Sequence, residues 1–376
     1  MSAGEVSGDH YIAKVCEKLR SMGRRGRTCG LCGAESREAG IEALWESERL
    51  QLMGFAEVFG AIGNILRLLG EMTKTVLDMR PRAIVLADSP DFHLPLIRRL
   101  RRGGYSGKIF YISPPSVWAW RSYRVHDLRS LVDECLPLFS FEHEYLKKSG
   151  TASFWTGHPL SEELSGWSPD PRTVISGVKG ASLSSPEKIV ALLPGSRGME
   201  IEQLYPPLSE TYDSLARNGF SPVFSVAPGL SESARNFLLS GMSSSGQNYY
   251  EGPGRDLLAI SKASAGASGT ATAEALLLRR YMVVLYKLKP LSALIGKIFL
   301  SRLFFAIPNI LAGEMFYPEL LQRNATGANA ARELLGWLDL NDGARAAKEA
   351  RMDELASKMG GGGVYDFWAG RILEAA

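Results

Sequence analysis

Two short turns in the C-terminal half of the chain have the residue types that bind phosphate. One spans residues 193–197 (LPGSR) and the other residues 268–274 (SGTATAE). Their small residues predict junctions at which a strand leads into a helix, and the free N–H groups of a helix N-terminus attract anions. An ordinary helix start is the alternative for the second turn. The predicted diphosphate-binding residues are Gly195, Ser196, Arg197, Ser268, Gly269, Thr270 and Thr272.

Polar side chains near these turns extend the prediction to a nucleotide sugar. Arg197 could direct a planar, permanently charged guanidinium at a diphosphate, although a surface salt bridge would also explain it. Glu274 lies within the helix predicted after the second turn, where its carboxylate could accept hydrogen bonds from ribose hydroxyls. Asn309 lies in an irregular Pro-Asn segment and could contact the nucleotide or the sugar, or simply hold a turn.

Acidic residues in the N-terminal half are candidates for proton transfer. Asp88 follows the apolar run Ala83–Ala87, which predicts a buried strand. Parallel sheets place working residues at the C-terminal ends of strands, so we predict that Asp88 is a general base. Asp91 is the second choice, and it could instead cap the following helix. Glu5 and Asp9 are weaker candidates, because Asp9 could cap the first helix.

No metal or other cofactor is predicted. The chain lacks an Asp-x-Asp pair of the kind that chelates a cation beneath a diphosphate. Arg197 and the helix N-termini would carry the charge of the leaving group instead. Cys29 and Cys32 have the spacing of a metal or redox pair, but no second cysteine pair or histidine pair accompanies them. We expect both to be small apolar residues in or near a strand.

Composition limits the classes of protein to consider. The 376 residues are 45% hydrophobic and 22% charged, a globular mixture whose length suits two domains. The net charge of +3 does not indicate a nucleic-acid partner, and four cysteines without a signal peptide indicate a reducing cytoplasm. The longest apolar stretch, Leu291–Leu311, contains Lys297, Arg302 and Pro308, so no segment is expected to span a bilayer.

Strands and helices alternate along the chain, which predicts an α/β fold with parallel sheets. A polar stretch at about residues 165–187 separates two such series. We predict two Rossmann-like domains that face each other across a cleft, over residues 1–180 and 187–345, with a helical segment 346–376 that returns to the first domain. Only Met1–Ala3 precede the first turn, so either the first strand is missing or the start is assigned late.

Seven motifs in order resemble the lipid-A-disaccharide synthase family of inverting glycosyltransferases, which have the two-domain fold called GT-B. The resemblance runs from Gly4 to about Gln322, which is most of the chain, and the VWAW segment (117–120) is the most specific motif. The motifs are GEVSGD (4–9), DSPDF (88–92), SPPSVWAW (113–120), GHP (157–159), LLPGSR (192–197), SGTAT (268–272) and PNILAG (308–313).

This resemblance implies a reaction and a location. The donor would be UDP-2,3-diacylglucosamine, the acceptor 2,3-diacylglucosamine 1-phosphate, and the products UDP and a β-1,6 disaccharide used in lipopolysaccharide biosynthesis. The enzyme would be cytoplasmic, at the inner face of the inner membrane of a Gram-negative bacterium. Its oligomeric state stays open.

The family motifs also suggest residues that contact the acceptor or line the cleft. If residues 117–120 are extended, the two tryptophans project on one side and could stack on a sugar or acyl chain; a buried aromatic pair is the alternative. His93 stands where we expect Asn and Glu314 where we expect a basic residue, which could alter contacts with acceptor and phosphate. The acceptor or cleft candidates are Glu5, Ser7, Asp9, Trp118, Trp120 and His158.

An apolar stripe at near-helical spacing could hold acyl chains or dip into the bilayer, although most such stripes belong to a core. Basic residues could add attraction to anionic lipid, or simply be solvated. The stripe comprises Phe55, Val58, Phe59, Ile62, Ile65 and Leu66. The basic residues are Arg98, Arg99, Arg101, Arg102 and Lys108 in the first domain, and Lys287, Lys289, Lys297 and Arg302 in the second.

Two rival functions stay open on the sequence. One is another UDP-sugar enzyme of the same fold, such as a 2-epimerase or a muramyl-intermediate glucosaminyltransferase, which should not need both the VWAW and the DSPD segments. The other is a catalytically inactive lipid-binding relative, against which the presence of Asp88 and Arg197 argues.

Overall fold

The computed structural model describes residues 1–48, 50, 58–181, 183, 185–287 and 304–375. They form two compact units, one of Met1–Glu162 with Met359–Ala376 and one of Glu163–Lys358. The first boundary lies at residue 162 instead of the expected 180, because residues 178–179 form a strand of the second sheet. The segment that returns to the first unit begins at residue 359 instead of 346.

Strands and helices alternate as the sequence predicts. The strands are β1 Ser2–Ala3, β2 Cys29–Cys32, β3 Glu42–Glu46, β4 Ala83–Ala87, β5 Lys108–Ile112, β6 Glu134–Leu136, β7 Val178–Lys179, β8 Ile189–Leu193, β9 Ser221–Val226, β10 Tyr249–Glu251, β11 Ala263–Ala267, β12 Tyr281–Tyr286 and β13 Glu319–Leu321. The helices are α1 Val6–Ser21, α2 Ala34–Glu38, α3 Val58–Met79, α4 Pro90–Arg102, α5 Val125–Leu131, α6 Ser140–Lys148, α7 Pro159–Glu163, α8 Pro171–Ser176, α9 Gly198–Arg217, α10 Glu232–Ser244, α11 Gly254–Ile260, α12 Thr270–Leu277, α13 Ile307–Ala312, α14 Gly327–Leu338, α15 Asp342–Ser357 and α16 Val364–Ala375.

The first unit contains a six-stranded parallel sheet in the order β3-β2-β1-β4-β5-β6. Alternate residues of β4 and β5 enter opposite hydrophobic clusters, as expected of strands that are buried on both faces. Helices α3, α4 and α5 cover one face, and α1 and α16 cover the other. The ring of Trp368, on α16, is almost fully buried and packs edge-on against Tyr11 of α1.

The expectation that the first strand is missing is corrected by β1. This strand has two residues, and Ser2 pairs with Leu31 on one side and with Leu86 on the other. The amino group of Met1 also donates a hydrogen bond to the Cys29 carbonyl, at 2.8 Å. A strand therefore occupies the centre of the sheet and leads directly into the turn before α1.

The second unit contains a seven-stranded sheet in the order β13-β12-β11-β8-β9-β10-β7. All of its pairings are parallel except that of β7 with β10, which is antiparallel. β8 and β11 are neighbours, and Leu193 pairs with Gly266 near their carboxyl ends. The two predicted phosphate turns therefore follow adjacent strands and lie at the same edge of the sheet.

Some local expectations change. Ser153 forms an isolated parallel bridge with Cys135 of β6. The expected linker contains α8 and β7. Cys29 and Cys32 lie within β2, as predicted.

Much of the apolar stripe cannot be placed. Phe55 lies outside the described residues, as do the side chains of Val58, Phe59 and Ile62, whose backbone belongs to α3. Ile65 packs partly against the core, while Leu66 is 51% exposed. Lys289, Lys297 and Arg302 also fall outside the described residues. Within the described part of the chain, no helix is both long and apolar enough to cross a membrane.

Candidate functional site

Asp88 lies at the carboxyl end of β4, in a strained junction with α4. Asp88 and Ser89 both have left-handed backbone conformations, with φ of 52° and 44°. Such values are uncommon for residues other than glycine and cluster at functional sites. The hydroxyl of Tyr111 donates a hydrogen bond to the Asp88 carbonyl at 2.7 Å, and the Nδ1 atom of His93 lies 2.8 Å from the same oxygen.

The two carboxyl oxygens of Asp88 have different surroundings. Oδ1 accepts hydrogen bonds from the Gly4 amide at 3.2 Å and from the Ser89 hydroxyl at 2.5 Å. Oδ2 is buried and has no hydrogen-bond partner among the described residues. A Cβ atom at position 8 would overlap with Oδ2, so only glycine fits there without a shift. The first turn of α1 and the end of β4 therefore fit closely together.

The pKa of Asp88 is raised to about 7, chiefly by burial. The charge of Glu5 raises it further, while hydrogen bonds from Ser89 and from the backbone of Gly4 and Glu5 oppose the shift. A carboxyl group with a pKa near neutrality can accept a proton efficiently in catalysis. A perturbed carboxyl at the end of a buried strand is the arrangement expected of a general base.

Asp91 has a different environment. Its carboxylate is 75% exposed and forms ion pairs with Arg121, at 2.6 Å, and with Arg124. Asp91 does not cap α4, because Ser89 occupies the N-cap position, and the Ser89 side chain makes no capping hydrogen bond. These contacts make Asp91 an ion-pairing residue that fixes the segment after β5, and they leave Asp88 as the stronger candidate base.

Asp9 has a structural role that sequence reasoning placed on the wrong helix. Its buried carboxylate accepts hydrogen bonds from the backbone of Gly33 at 2.7 Å and Glu35 at 3.0 Å, and from the Ser36 hydroxyl. It therefore caps α2, not its own helix α1. Asp9 is a poor candidate for contact with a substrate, whereas Glu5 and Ser7 are exposed in the turn before Asp9.

The segment with the two tryptophans is a turn, not an extended strand. The amides of Ala119 and Trp120 both donate to the Ser116 carbonyl. The Trp118 indole donates to Glu142 at 3.1 Å and packs edge-on against Phe141, while Trp120 is 44% exposed. Only Trp120 therefore presents a largely exposed ring.

Glu142 was missed by sequence reasoning, although an acid in the first turn of a helix after a strand was an available signal. It is buried, and burial raises its pKa. Its Oε1 atom accepts from Trp118 and from the Ser116 hydroxyl, at 3.1 and 3.2 Å. Glu142 thus fixes the turn that follows β5.

His158 has a structural role in the first unit. The side chain is buried, and its Nδ1 atom accepts a hydrogen bond from the Leu160 amide at 3.1 Å. Its ring packs on Phe139, and its backbone amide donates to the Met359 carbonyl at 2.7 Å. This last bond ties the segment to the returning chain.

In the second unit, the turn after β8 contacts a carboxyl group of the protein itself, that of Glu200. Gly195 has φ of 108°, and a Cβ atom there would overlap with the carboxyl of Glu200. The Ser196 amide donates to Glu200 Oε2 at 3.4 Å, and Arg197 is the N-cap residue of α9. Burial raises the pKa of Glu200, whereas the charge of Arg197 and these backbone hydrogen bonds lower it. Sequence reasoning missed Glu200, although its position in the first turn of α9 is that of a capping acid.

In the turn after β11, the hydroxyls of Ser268 and Thr272 form hydrogen bonds within the protein, and Thr270 is exposed. Gly269, with φ of 153°, is the N-cap residue of α12, which begins at Thr270. The Ser268 hydroxyl donates to the Phe305 carbonyl at 2.9 Å, and the Thr272 hydroxyl donates to the Gly269 carbonyl at 2.8 Å. Ligand contacts from this turn are therefore expected from backbone amides and from Thr270.

Glu274 lies on α12 in a charged environment. Burial is the main cause that raises its pKa, and the charges of Glu163 and Asp256 act in the same direction. Arg255 opposes them. The Arg255 guanidinium is 3.7 Å from Glu163 and lies over the Trp167 ring, 5.4 Å from its centroid. Arg255, Glu163 and Asp256 are thus the charged groups that act on Glu274.

The structure contradicts the proposed contact of Asn309 with the nucleotide or sugar. Its side-chain nitrogen donates to the Tyr317 carbonyl and to Glu319, both at 2.8 Å. Its side-chain oxygen accepts from the amides of Phe316 and Tyr317, at 2.9 and 2.7 Å. All the hydrogen-bonding capacity of the amide is thus used inside the protein, and the alternative role of holding a turn is correct. Glu314, the other departure nearby, pairs with Arg351 at 3.2 Å.

Across the described ranges, no group of three or more His, Cys, Asp or Glu side chains is arranged to hold a metal ion.

Solved structures with similar folds define the class of protein. A putative UDP-N-acetylglucosamine 2-epimerase from Listeria monocytogenes matches with a TM-score of 0.62 at 13% identity, over 97% of this chain and 92% of that one. The Neisseria meningitidis UDP-GlcNAc 2-epimerase bound to UDP-GlcNAc matches with a TM-score of 0.59 at 12% identity, over 99% and 98%. At this identity the likeness establishes the fold alone. With its two parallel-sheet units, the protein has the GT-B fold.

The sequence identifies the family within this class. The family model described as lipid-A-disaccharide synthetase matches residues 1–362. A lipid-A-disaccharide synthase of Anaeromyxobacter dehalogenans is 35% identical over 356 residues, which cover 94% of this chain and 90% of the relative. The chain therefore belongs to the lipid-A-disaccharide synthetase family, as the ordered motifs predicted. The epimerase rival is not favoured, since its representatives share only the fold.

Proposed function

We propose that this protein transfers a 2,3-diacylglucosamine unit from its UDP derivative to 2,3-diacylglucosamine 1-phosphate. The products are UDP and the β-1,6 disaccharide 1-phosphate of lipid A biosynthesis. The observation that carries this proposal is the family match over residues 1–362. The perturbed carboxyl at the end of β4 supplies the group that such chemistry needs.

Asp88 is the general base of this proposal. The 6-hydroxyl oxygen of the acceptor attacks the anomeric carbon of the donor from the face opposite the diphosphate, and its proton passes to the Asp88 carboxylate. The bond from the anomeric carbon to the diphosphate oxygen breaks, and its electron pair leaves with UDP. The configuration inverts. Oδ1 accepts two hydrogen bonds and Oδ2 is buried in the resting protein, so we expect the acceptor hydroxyl to displace neighbouring groups when it reaches the carboxyl.

The second unit binds the leaving group. Backbone amides at the start of α9 and α12, together with Arg197, neutralise the diphosphate, and Glu274 accepts hydrogen bonds from the ribose. The two turns follow neighbouring strands, which supports a single ligand in contact with both. Glu200 occupies the amides of the first turn, so we expect the diphosphate to displace its carboxylate.

No metal takes part in this proposal. Turnover in excess EDTA is expected to equal turnover without it, and complete loss that magnesium restores would contradict the proposal.

The acylated substrates place the protein at the cytoplasmic surface of the inner membrane, bound peripherally. Leu66 on α3 is exposed, and Lys74, Arg99 and Arg102 line a groove between α3 and α4. Apolar and basic groups on one surface suit an anionic bilayer. We expect binding that salt weakens. Cosedimentation with anionic liposomes should fall when Phe55, Phe59 and Ile62 are all changed to Ser, and unaltered binding would count against the stripe.

The direct test combines purified protein with the acylated donor and the acceptor and follows both UDP and the disaccharide by mass spectrometry. We expect the two products in equal amounts, and neither when the acceptor is omitted. UDP release or donor isomerisation without acceptor would instead indicate the epimerase class. Binding of both substrates without turnover would indicate the inactive lipid-binding relative.

A further inference from the structure

His93 lies directly beneath the candidate base. It is the fourth residue of α4, and its side chain has no exposed surface. It therefore cannot contact an acceptor, contrary to the expectation that its departure from Asn alters an acceptor contact. The imidazole bridges two other groups, the Asp88 carbonyl on Nδ1 and the Ser2 hydroxyl on Nε2, each at 2.8 Å.

These two partners determine where the ring proton lies. The Asp88 carbonyl can only accept a hydrogen bond, so Nδ1 must carry the hydrogen. In the neutral ring Nε2 is then an acceptor, and Ser2, which can donate, supplies its hydroxyl hydrogen. Burial lowers the pKa of His93 to about 4, so the ring is neutral at physiological pH. The hydrogen bonds thus run in one direction, from Ser2 through His93 to the Asp88 carbonyl.

The carbonyl that accepts the His93 hydrogen bond belongs to Asp88, a residue with a strained backbone conformation. The left-handed conformation of Asp88 and Ser89 is sparsely populated and persists only where surrounding contacts enforce it. Tyr111 donates to the same carbonyl from β5, and the His93 amide donates to the Ser89 carbonyl at 2.9 Å. Rotation of this peptide group would swing the Asp88 carboxyl away from the Gly4 amide and from Gly8.

We propose that His93 is a positioning residue for the Asp88 carboxyl, and that its Nδ1–H bond to the Asp88 carbonyl fixes the conformation in which that carboxyl works. The inference rests on the proposed function, in which Asp88 is the base. The charged and titratable groups that face the pair are Glu5 from the turn before α1, the amino terminus beside β1 and Tyr111 on β5.

Two substitutions separate the two ring nitrogens. The amide nitrogen of an asparagine lies near the position of Nδ1, whereas that of a glutamine reaches the position of Nε2. His93→Asn can therefore keep the bond to the Asp88 carbonyl and lose Ser2, and His93→Gln does the reverse. Ser2→Ala is the matched control, since it removes the Ser2 bond alone.

The experiment measures kcat, KM and its pH profile in these variants, together with the carboxyl titration of Asp88 by NMR of carbon-13-labelled protein. We expect His93→Asn and Ser2→Ala to keep kcat within about threefold of the unsubstituted protein, and His93→Gln to lower kcat by about tenfold or more at a similar KM. The pH midpoint of the Asp88 titration should shift in His93→Gln only.

A merely structural role would give another pattern. His93→Asn and His93→Gln would lower the melting temperature and kcat alike, and neither would move the Asp88 titration; this result would overturn the inference. The titration needs no turnover, so it also separates the inference from the proposed function. If Asp88→Asn keeps full activity, Asp88 is not the base, and yet a shifted titration in His93→Gln would still place His93 in control of the carboxyl.

Discussion

The carboxyl site at the end of β4 and the two turns after β8 and β11 are prepared for ligands in opposite ways. The Asp88 site holds a strained backbone, a carboxyl oxygen without a hydrogen-bond partner and a raised pKa, all before a substrate arrives. The two turns instead form hydrogen bonds within the protein. The Glu200 carboxyl accepts from the backbone of the first turn, and the Ser268 and Thr272 hydroxyls of the second turn donate to neighbouring carbonyls. In the proposed mechanism, proton transfer would thus rely on a preorganised group, whereas binding of the nucleotide would exchange internal hydrogen bonds for external ones.

The largest effect is expected at Gly8, where the fit to Asp88 is closest. Gly8→Ala adds a Cβ atom that overlaps with Oδ2, so the carboxyl must move. A displacement of about 1 Å can cost about 100-fold in rate, and we expect kcat to fall by about that factor. Gly336→Ala, at an exposed position of α14 where an added Cβ atom meets no atom within 4 Å, is the matched control and should keep kcat. If Gly8→Ala turns over as fast as the control, the carboxyl is not held as described.

A smaller loss of activity is expected at the turn after β8, which contains Arg197. Arg197→Ala removes a charge-assisted contact to the diphosphate, worth about 1.5–3 kcal/mol, so kcat/KM should fall by roughly 10- to 100-fold. Arg197→Lys keeps the charge and loses the planar guanidinium. Its kcat/KM should lie between the values of the unsubstituted protein and of Arg197→Ala. Kinetics at varied donor concentration measure this effect, and an unchanged kcat/KM in Arg197→Ala would place Arg197 in a surface ion pair only.

The pH dependence of the rate tests whether the raised pKa of Asp88 governs proton transfer. Asp88 acts as a base only when ionised, and its raised pKa means that ionisation increases as the pH rises through about 7. We therefore expect kcat to be about tenfold lower near pH 6 than near pH 8, a difference visible in a kcat profile. A profile that is flat over this range would show that a different group, or no titrating group, takes the proton.

The smallest effect is expected at Glu200, whose carboxyl group contacts the turn after β8. Glu200→Gln keeps the shape of the side chain but removes a charge that competes with the diphosphate for the turn. Calorimetry should show that UDP binds about threefold more tightly to this variant. The effect is modest because a nearby like charge opposes binding only weakly in a partly exposed site. Glu202→Gln, an exposed neighbour on α9, is the matched control. Weaker UDP binding in Glu200→Gln would mean that Glu200 supports the nucleotide site.

Local pattern was enough to predict the elements that carry the site. The apolar run of β4 was predicted with the bounds that the structure has, and the small-residue turns were placed correctly after strands. β1 escaped prediction because two residues have no periodicity, and its place is set by pairing with β2 and β4.

What the sequence could not supply are partners that are distant along the chain. Asp9 caps a helix that begins 25 residues later, and Asn309 is saturated by a strand and loop beyond its own helix. Glu142 and Glu200 read as ordinary helix-start acids until their contacts are known. His93 was noticed only as a departure from a motif, since nothing local shows that its ring turns back to Asp88 and Ser2.

The most direct test of the central claim measures kcat and UDP affinity together in Asp88→Asn. This variant keeps the size of the side chain but cannot take the proton. We predict a fall in kcat of about 100- to 10,000-fold, typical of a lost general base, with the Kd for UDP unchanged. A kcat close to that of the unsubstituted protein would contradict it.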